Sequence, residues 1–143
     1  MNKVYNTLKT DVSEASVSIL KDSVKVIFPE HLLFGKNSAS ISEGNKPLMQ
    51  RFARALNLYP ETNILINGYT DNSGPEDLNR TLSSQRADTA SATLKIFKVG
   101  SKRLYTWGLG PTSPLAENDT EEGRRKNRRV EFIVLYNYKS ETE

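Results

Sequence analysis

Residues 64–94, ILINGYTDNSGPEDLNRTLSSQRADTASATL, decide how the rest of the chain is read. The apolar run at 63–68 predicts a short central strand. A polar loop follows at 69–73, and Gly74-Pro75 opens a helical piece, because proline suits a first helical turn. Ser83 stands where a side chain could cap the main helix, which predicts a break across residues 82–85. Ala87, Ala90, Leu94 and Phe97 then form an apolar stripe with small residues that let the helix lie close on a sheet, and Gly100 stops it. Asp71 follows the strand, and Arg86 sits near the start of the main helix. An acid and a base so placed suit a small zwitterionic ligand. Open α/β sheets bind ligands beyond the carboxyl ends of their strands, and a guanidinium offers a planar fork to a carboxylate. The same residues suit an internal role, with Asp71 capping its own loop and Arg86 covering the helix, or the two bonded to each other.

Upstream, residues 17–20 and 24–28 are β-rich and alternate polar with apolar side chains, which fits a hairpin or a bent strand ended by Pro29. Leu48, Met49, Phe52, Ala55 and Leu56 mark an amphipathic helix that Ser40 or Ser42 could cap, running to about Tyr59 before Pro60. Downstream, residues 103–108 and 129–138 read as strands, with a polar loop at 112–122 and a turn of helix at 123–127 between them. The order is β-α-β-α-β-β. A strand followed by a crossover helix implies parallel neighbours, so the expected fold is α/β with helices packed on one mixed sheet. The expected boundaries are a flexible lead-in at 1–15, a single domain at 16–138 and a polar tail at 139–143.

Composition narrows the function. The chain has 143 residues, 20 basic and 17 acidic side chains, a net charge of +3 and no cysteine. Disulfides, thiolate metal sites and cysteine nucleophiles are thereby excluded. No apolar run approaches the roughly 18–20 residues needed to cross a bilayer. The first residues lack the apolar segment of a secretion signal, which fits either a cytosolic protein or an excised domain behind an added Met. The only histidine, His31, lies beside an apolar pair and reads as structural or solvent-facing. No nucleophile elbow, Walker loop, dinucleotide fingerprint or His-Glu-x-x-His occurs, so no catalytic residue, cofactor or metal is expected. The basic run at 124–129 reads as a solvated turn, as a nucleic-acid patch, or as the floor of the cleft beside Asp71. Tyr105, Trp107, Tyr136 and Tyr138 alternate along strands and read as core or sheet-face residues.

The run 68–74 (GYTDNSG), then Asn79-x-x-Leu82-Ser83-x-x-Arg86-Ala87, Gly108-x-Gly110, Pro114, Asn118-x-Thr120 and Gly123-Arg124-x-x-Asn127-Arg128-Arg129-Val130-Glu131, resembles the OmpA C-terminal-like domain. That family includes OmpA, the peptidoglycan-associated lipoprotein Pal and the stator protein MotB. The resemblance covers residues 32–135. It implies a βαβαββ fold that binds peptidoglycan without catalysis, gripping meso-diaminopimelate of the stem peptide through Asp71 and Arg86. Thr70, Asn79, Leu82, Asn37 and one of Arg128 or Arg129 fall at other groove positions. Many members carry an aspartate where this chain has Gly35, which alters that wall. The family implies a periplasmic domain of a Gram-negative envelope protein. It would be held to the outer membrane by a segment outside this chain, a lipid anchor or a β-barrel. An inner-membrane stator or secretion-apparatus protein is the alternative, and nucleic-acid binding through residues 124–129 is the alternative of another class. Asp71→Ala and Arg86→Ala are expected to abolish wall binding and leave thermal unfolding nearly unchanged.

Overall fold

A computed structural model describes residues 1–139. The elements run α1 (Asn2–Asp11), β1 (Ser16–Ile19), β2 (Ser23–Pro29), α2 (Lys46–Asn57), β3 (Thr62–Tyr69), α3 (Glu76–Ile96), β4 (Leu104–Gly108), α4 (Glu121–Asn127) and β5 (Arg129–Tyr136), with short 3-10 turns between some of them. The strands form one mixed sheet in the order β1-β2-β5-β3-β4. β1 and β2 make a hairpin, one of the two expected alternatives, and β3 pairs parallel with β4 across the α3 crossover. The last strand inserts between β2 and β3, antiparallel to both.

Alternation along the strands sets which face is buried, because successive side chains point to opposite sides of a sheet. Val24, Val26 and Phe28 on β2 stand opposite Val134, Phe132 and Val130 on β5, and Ile64 and Ile66 on β3 continue the same layer. Onto it pack Met49, Phe52 and Leu56 of α2 and Ala87, Ala90 and Leu94 of α3. Phe28, Phe52 and Phe132 meet edge to face, with ring centroids 4.9–5.3 Å apart, at the centre of that layer. Tyr105, Trp107 and Tyr138 cluster on the opposite face.

The structure departs from the sequence expectations in each of its first three helices. The first fifteen residues are not a loose lead-in. α1 buries Val4 and Leu8, and Val12 follows at the same four-residue spacing, so all three join the core. Arg51 of α2 donates to the Asp11 carbonyl and to Glu14, which fixes the end of this helix. Second, α3 is continuous through residues 82–85. Ser83 is buried inside the helix rather than capping it; its hydroxyl donates to the Arg80 carbonyl and accepts from Gly110 N. Third, α2 begins at Lys46 after a 3-10 turn, with no side-chain cap from Ser40 or Ser42. The expected tail lies, past Lys139, outside the described residues.

The seat of α3 depends on two glycines. A Cβ at Gly68 would lie 2.2 Å from Ser83 O, and one at Gly108 would lie 2.4 Å from Ser84 N. Both distances are far inside van der Waals contact, so only hydrogen at these positions lets the first half of α3 rest on β3 and β4. That contact sets the height of Arg86, less than one turn further along the helix.

Candidate functional site

At one end of the sheet β2 finishes, β5 begins and β3 finishes, side by side: Pro29 and Tyr69 both pair with Arg129. The side chains just beyond those ends, together with the first half of α3, the loop after β2 and α4, enclose a cleft of about 670 Å³. Asp71 and Thr70 enter from the end of β3, and Asn79, Leu82 and Arg86 from α3. Asn37 enters from the loop after β2, and Arg128 from the residue before β5. Asn37 holds a positive φ of 55°, a conformation asparagine tolerates better than most residues.

Of the two alternatives Arg128 and Arg129, Arg128 lines the cleft and Arg129 does not. Neighbours along a strand face opposite ways, and Arg129 turns to the other side of the sheet. There it is buried, donates to Glu131 at 2.9 Å and to the carbonyls of Asn127 and Ser113, and stacks over the Tyr69 ring at 3.8 Å. Its partners are all internal, so its role is to hold the start of β5.

Asp71 and Arg86 share the cleft without bonding each other. Asp71 is 7% exposed; its Oδ1 accepts from Ser73 N at 2.8 Å and its Oδ2 accepts from Arg128 Nη1 at 2.7 Å. Arg86 is 3% exposed; its Nε donates to the Ser38 carbonyl at 2.9 Å, its Nη2 to Glu30 Oε1 at 3.0 Å, and its guanidinium lies 5.0 Å from the centre of the Phe34 ring. Its Nη1 has no hydrogen-bond partner among the described residues. No buried side-chain nitrogen there goes unsatisfied, so Nη1 opens to solvent.

The hub is Arg128. Its Nε meets Glu30 Oε2 at 2.9 Å, its Nη1 meets Asp71, and its Nη2 meets Glu121 Oε1 at 2.6 Å. A charge chain therefore runs Arg86–Glu30–Arg128–Asp71, with Glu121 as a branch. Burial works against the Arg128 charge, but the hydrogen bonds to Glu121 and Asp71 outweigh it and raise its pKa. The Arg128 hydrogen bond in turn lowers the pKa of Glu121. Arg124 also reaches Glu121, at 3.2 Å, so the three carboxylates of this chain are matched by three guanidiniums.

Glu30 is a cleft side chain that sequence reasoning missed. The signal available was its position: it directly follows the strand-ending Pro29, which places it level with Asp71 at the ends of two strands that flank β5. His31, Phe34, Lys36, Ser73, Glu121, Arg124 and Arg125 also line the cleft.

The loop from β4 to α4 is held by Asn127, which is wholly buried. Its Oδ1 accepts from Leu115 N and Ala116 N, and its Nδ2 donates to Ala116 O and Asn118 Oδ1. Thr120 caps α4 by accepting from Gly123 N. These bonds account for the spacing of the Asn118, Thr120, Gly123 and Asn127 positions: they aim Arg128 into the cleft. The basic run at 124–129 is dispersed by the same geometry. Arg124 pairs with Glu121, Lys126 with Glu122, Arg128 faces the cleft and Arg129 is buried against Glu131.

A mixed sheet covered by helices, with an ion-lined cleft at the strand ends, defines an α/β binding module, and no group of metal-ligating side chains occurs among its described residues. The OmpA family signature matches residues 33–128, two thirds of the chain, and the protein belongs to the OmpA family. It is 39% identical over 119 residues to the probable lipoprotein YiaD of Escherichia coli, a match covering 83% of this chain and 54% of YiaD. It is 38% identical over 115 residues to the peptidoglycan-binding protein ArfA of Mycobacterium bovis, covering 80% of this chain and 35% of ArfA. The chain thus spans about half or less of these relatives. Among solved structures, the cell wall anchor of the T6SS from Pseudomonas aeruginosa superposes with a TM-score of 0.84 at 30% identity, covering 94% of this chain and 97% of that one.

Proposed function

We propose that this domain binds peptidoglycan non-covalently, gripping the diaminopimelate residue of the stem peptide in the charged cleft, and so tethers an envelope protein to the cell wall. The observation that carries this is the separation of Asp71 from Arg86: they line one cleft, yet neither is spent on the other. The far end of diaminopimelate bears an ammonium and a carboxylate. The ammonium meets Asp71, whose oxygens each retain a lone-pair site. The carboxylate meets Arg86 Nη1, the open corner of a guanidinium already held flat by Ser38 and Phe34. Thr70, Asn79, Leu82, Asn37 and Arg128 form the surrounding wall. No bond is made or broken.

Each charge-assisted contact contributes about 1.5–3 kcal/mol. Less the cost of ordering the ligand, a few of them correspond to micromolar to millimolar affinity. For a tether that is enough, because the wall offers many equivalent sites and attachment keeps the domain beside them. The likeness to a probable lipoprotein supports a periplasmic domain tied to the outer membrane by a lipid anchor. The likeness to a secretion-system wall anchor supports the second attachment, in an inner-membrane apparatus. A nucleic-acid role lacks its footprint, since four of the five cations at 124–129 are paired with glutamates.

Co-sedimentation with purified sacculi tests the proposal. Retention is expected on diaminopimelate-type walls and is expected to fall on lysine-type walls, whose side chain lacks the carboxylate for Arg86. Equal retention on both removes the role given to Arg86; no retention on either removes the proposal.

A further inference from the structure

The rim of the cleft carries positive charge that the diaminopimelate contacts do not use. The lining holds five cations, Lys36, Arg86, Arg124, Arg125 and Arg128, against the three carboxylates Glu30, Asp71 and Glu121. All three carboxylates are committed. Arg128 engages each of them, Arg86 shares Glu30, and Arg124 shares Glu121. Lys36 and Arg125 are left. Both are exposed, both line the cleft, and neither has an acidic partner among the described residues. They stand on different elements, Lys36 in the loop after β2 and Arg125 on α4.

A pair of uncommitted cations at the mouth of a cleft attracts anionic groups and repels cations before the ligand docks. The stem peptide has a suitable group. Diaminopimelate is joined through its neighbour's γ-carboxyl to a glutamate whose α-carboxylate is free, and amidation turns that carboxylate into a neutral carboxamide. In a stem peptide seated by its diaminopimelate on Asp71 and Arg86, that glutamate is one peptide bond away, close enough to meet other lining residues of the cleft.

We propose that Lys36 and Arg125 form a second, anion-binding subsite that takes the α-carboxylate of the neighbouring glutamate and makes the domain selective for non-amidated stem peptides. This rests on the peptidoglycan assignment made above. The contacts are solvent-exposed and screened by salt, so the discrimination is modest: about five-fold in Kd at low ionic strength, shrinking as salt is added.

The test uses two synthetic diaminopimelate tripeptides that differ only in whether the glutamate α-carboxyl is free or amidated, with titration calorimetry on the full chain. Wild type is expected to favour the free acid by about five-fold. The double variant Lys36→Gln, Arg125→Gln is expected to bind both peptides equally, at the wild-type affinity for the amide. Both positions are exposed, so the variant keeps its fold. Equal affinity of wild type for the two peptides overturns this subsite alone, as does a preference that persists in the double variant. Failure of wild type to bind either peptide overturns the peptidoglycan assignment and the subsite with it.

Discussion

Arg128 Nη1 lies 2.7 Å from Asp71 Oδ2, so the carboxylate at the end of β3 already holds a cation supplied from the start of β5. In the proposed complex an incoming ammonium would share Asp71 with that guanidinium rather than enter an empty socket. Glu30 and Glu121 keep Arg128 in place when it does, because each holds another of its nitrogens. The Arg128 pairing keeps the acid from being buried alone in the free state.

Asp71→Asn is expected to abolish retention on diaminopimelate-type sacculi and leave urea unfolding little changed, because Asn still offers an acceptor to Ser73 N and Arg128 retains two carboxylates. Arg86→Ala is different. The expectation of unchanged thermal unfolding does not survive the structure, since this guanidinium is buried, stacks on Phe34 and holds both Glu30 and the Ser38 carbonyl. Its loss is expected to cost about 3 kcal/mol. Arg86→Lys, compared by sacculus retention and by unfolding, separates binding from folding: retention should fall more than stability. If retention survives Asp71→Asn and Arg86→Lys in folded protein, the two side chains are structural.

Gly68→Ala is expected to destabilise by about 3 kcal/mol or more, because the added methyl meets Ser83 backbone rather than a movable side chain. Gly108→Ala should act alike against Ser84. Because these contacts set the position of α3, peptide affinity in any folded fraction should fall as well, although neither glycine lines the cleft. Urea unfolding and calorimetry on the same preparations check both effects.

Leu8→Ala is expected to lower unfolding free energy by about 3 kcal/mol. Leu8 is 1% exposed and packs in the same core as Phe52 and Leu56, so α1 unfolds with the domain rather than apart from it. A single cooperative urea transition, shifted to lower midpoint in the variant, is the result to look for; an unchanged midpoint would show that α1 is detachable.

Acid should loosen the α1 junction in a defined window. The hydrogen bond from Arg51 lowers the pKa of Glu14 below its ordinary 4.5. A depressed carboxylate contributes stability that is present above the unfolded-state pKa and disappears as pH falls through the folded-state value. Both partners are well exposed, so the contribution is at most about 1 kcal/mol. The difference in Tm between wild type and Glu14→Gln should be constant at neutral pH and vanish below the ordinary glutamate range. A difference that persists at low pH would mean the pair acts by packing and not by charge.

Much of this architecture was legible in one dimension because it rests on short-range periodicity. Alternation gave the strands their faces, the three- and four-residue spacing gave α2 its buried stripe, and Pro75 marked where α3 starts; the expected stop at Gly100 falls late, since α3 ends at Ile96 and Lys98 takes the positive φ. Even α1 left a trace, in Val4, Leu8 and Val12, but three apolar residues in a polar stretch bury themselves only if a neighbouring surface exists to receive them. Ser83 looked like a cap for the same reason: local rules favour serine at helix starts, and what overrode them was a hydrogen bond from Gly110, twenty-seven residues away.

From the residues alone, then, came the alternation of strands and helices, the placement of an acid after a strand and a base on the following helix, and the likeness to a wall-binding family. Tertiary structure decided the rest: that Asp71 and Arg86 face one cleft without pairing with each other, that Glu30 joins them through Arg128, and that Arg128 rather than Arg129 enters it. Propensity acts between neighbours in the chain, whereas charge pairing acts across space. The last choice turned on a single residue of strand register, which sends one arginine to the cleft and its neighbour to the opposite face of the sheet.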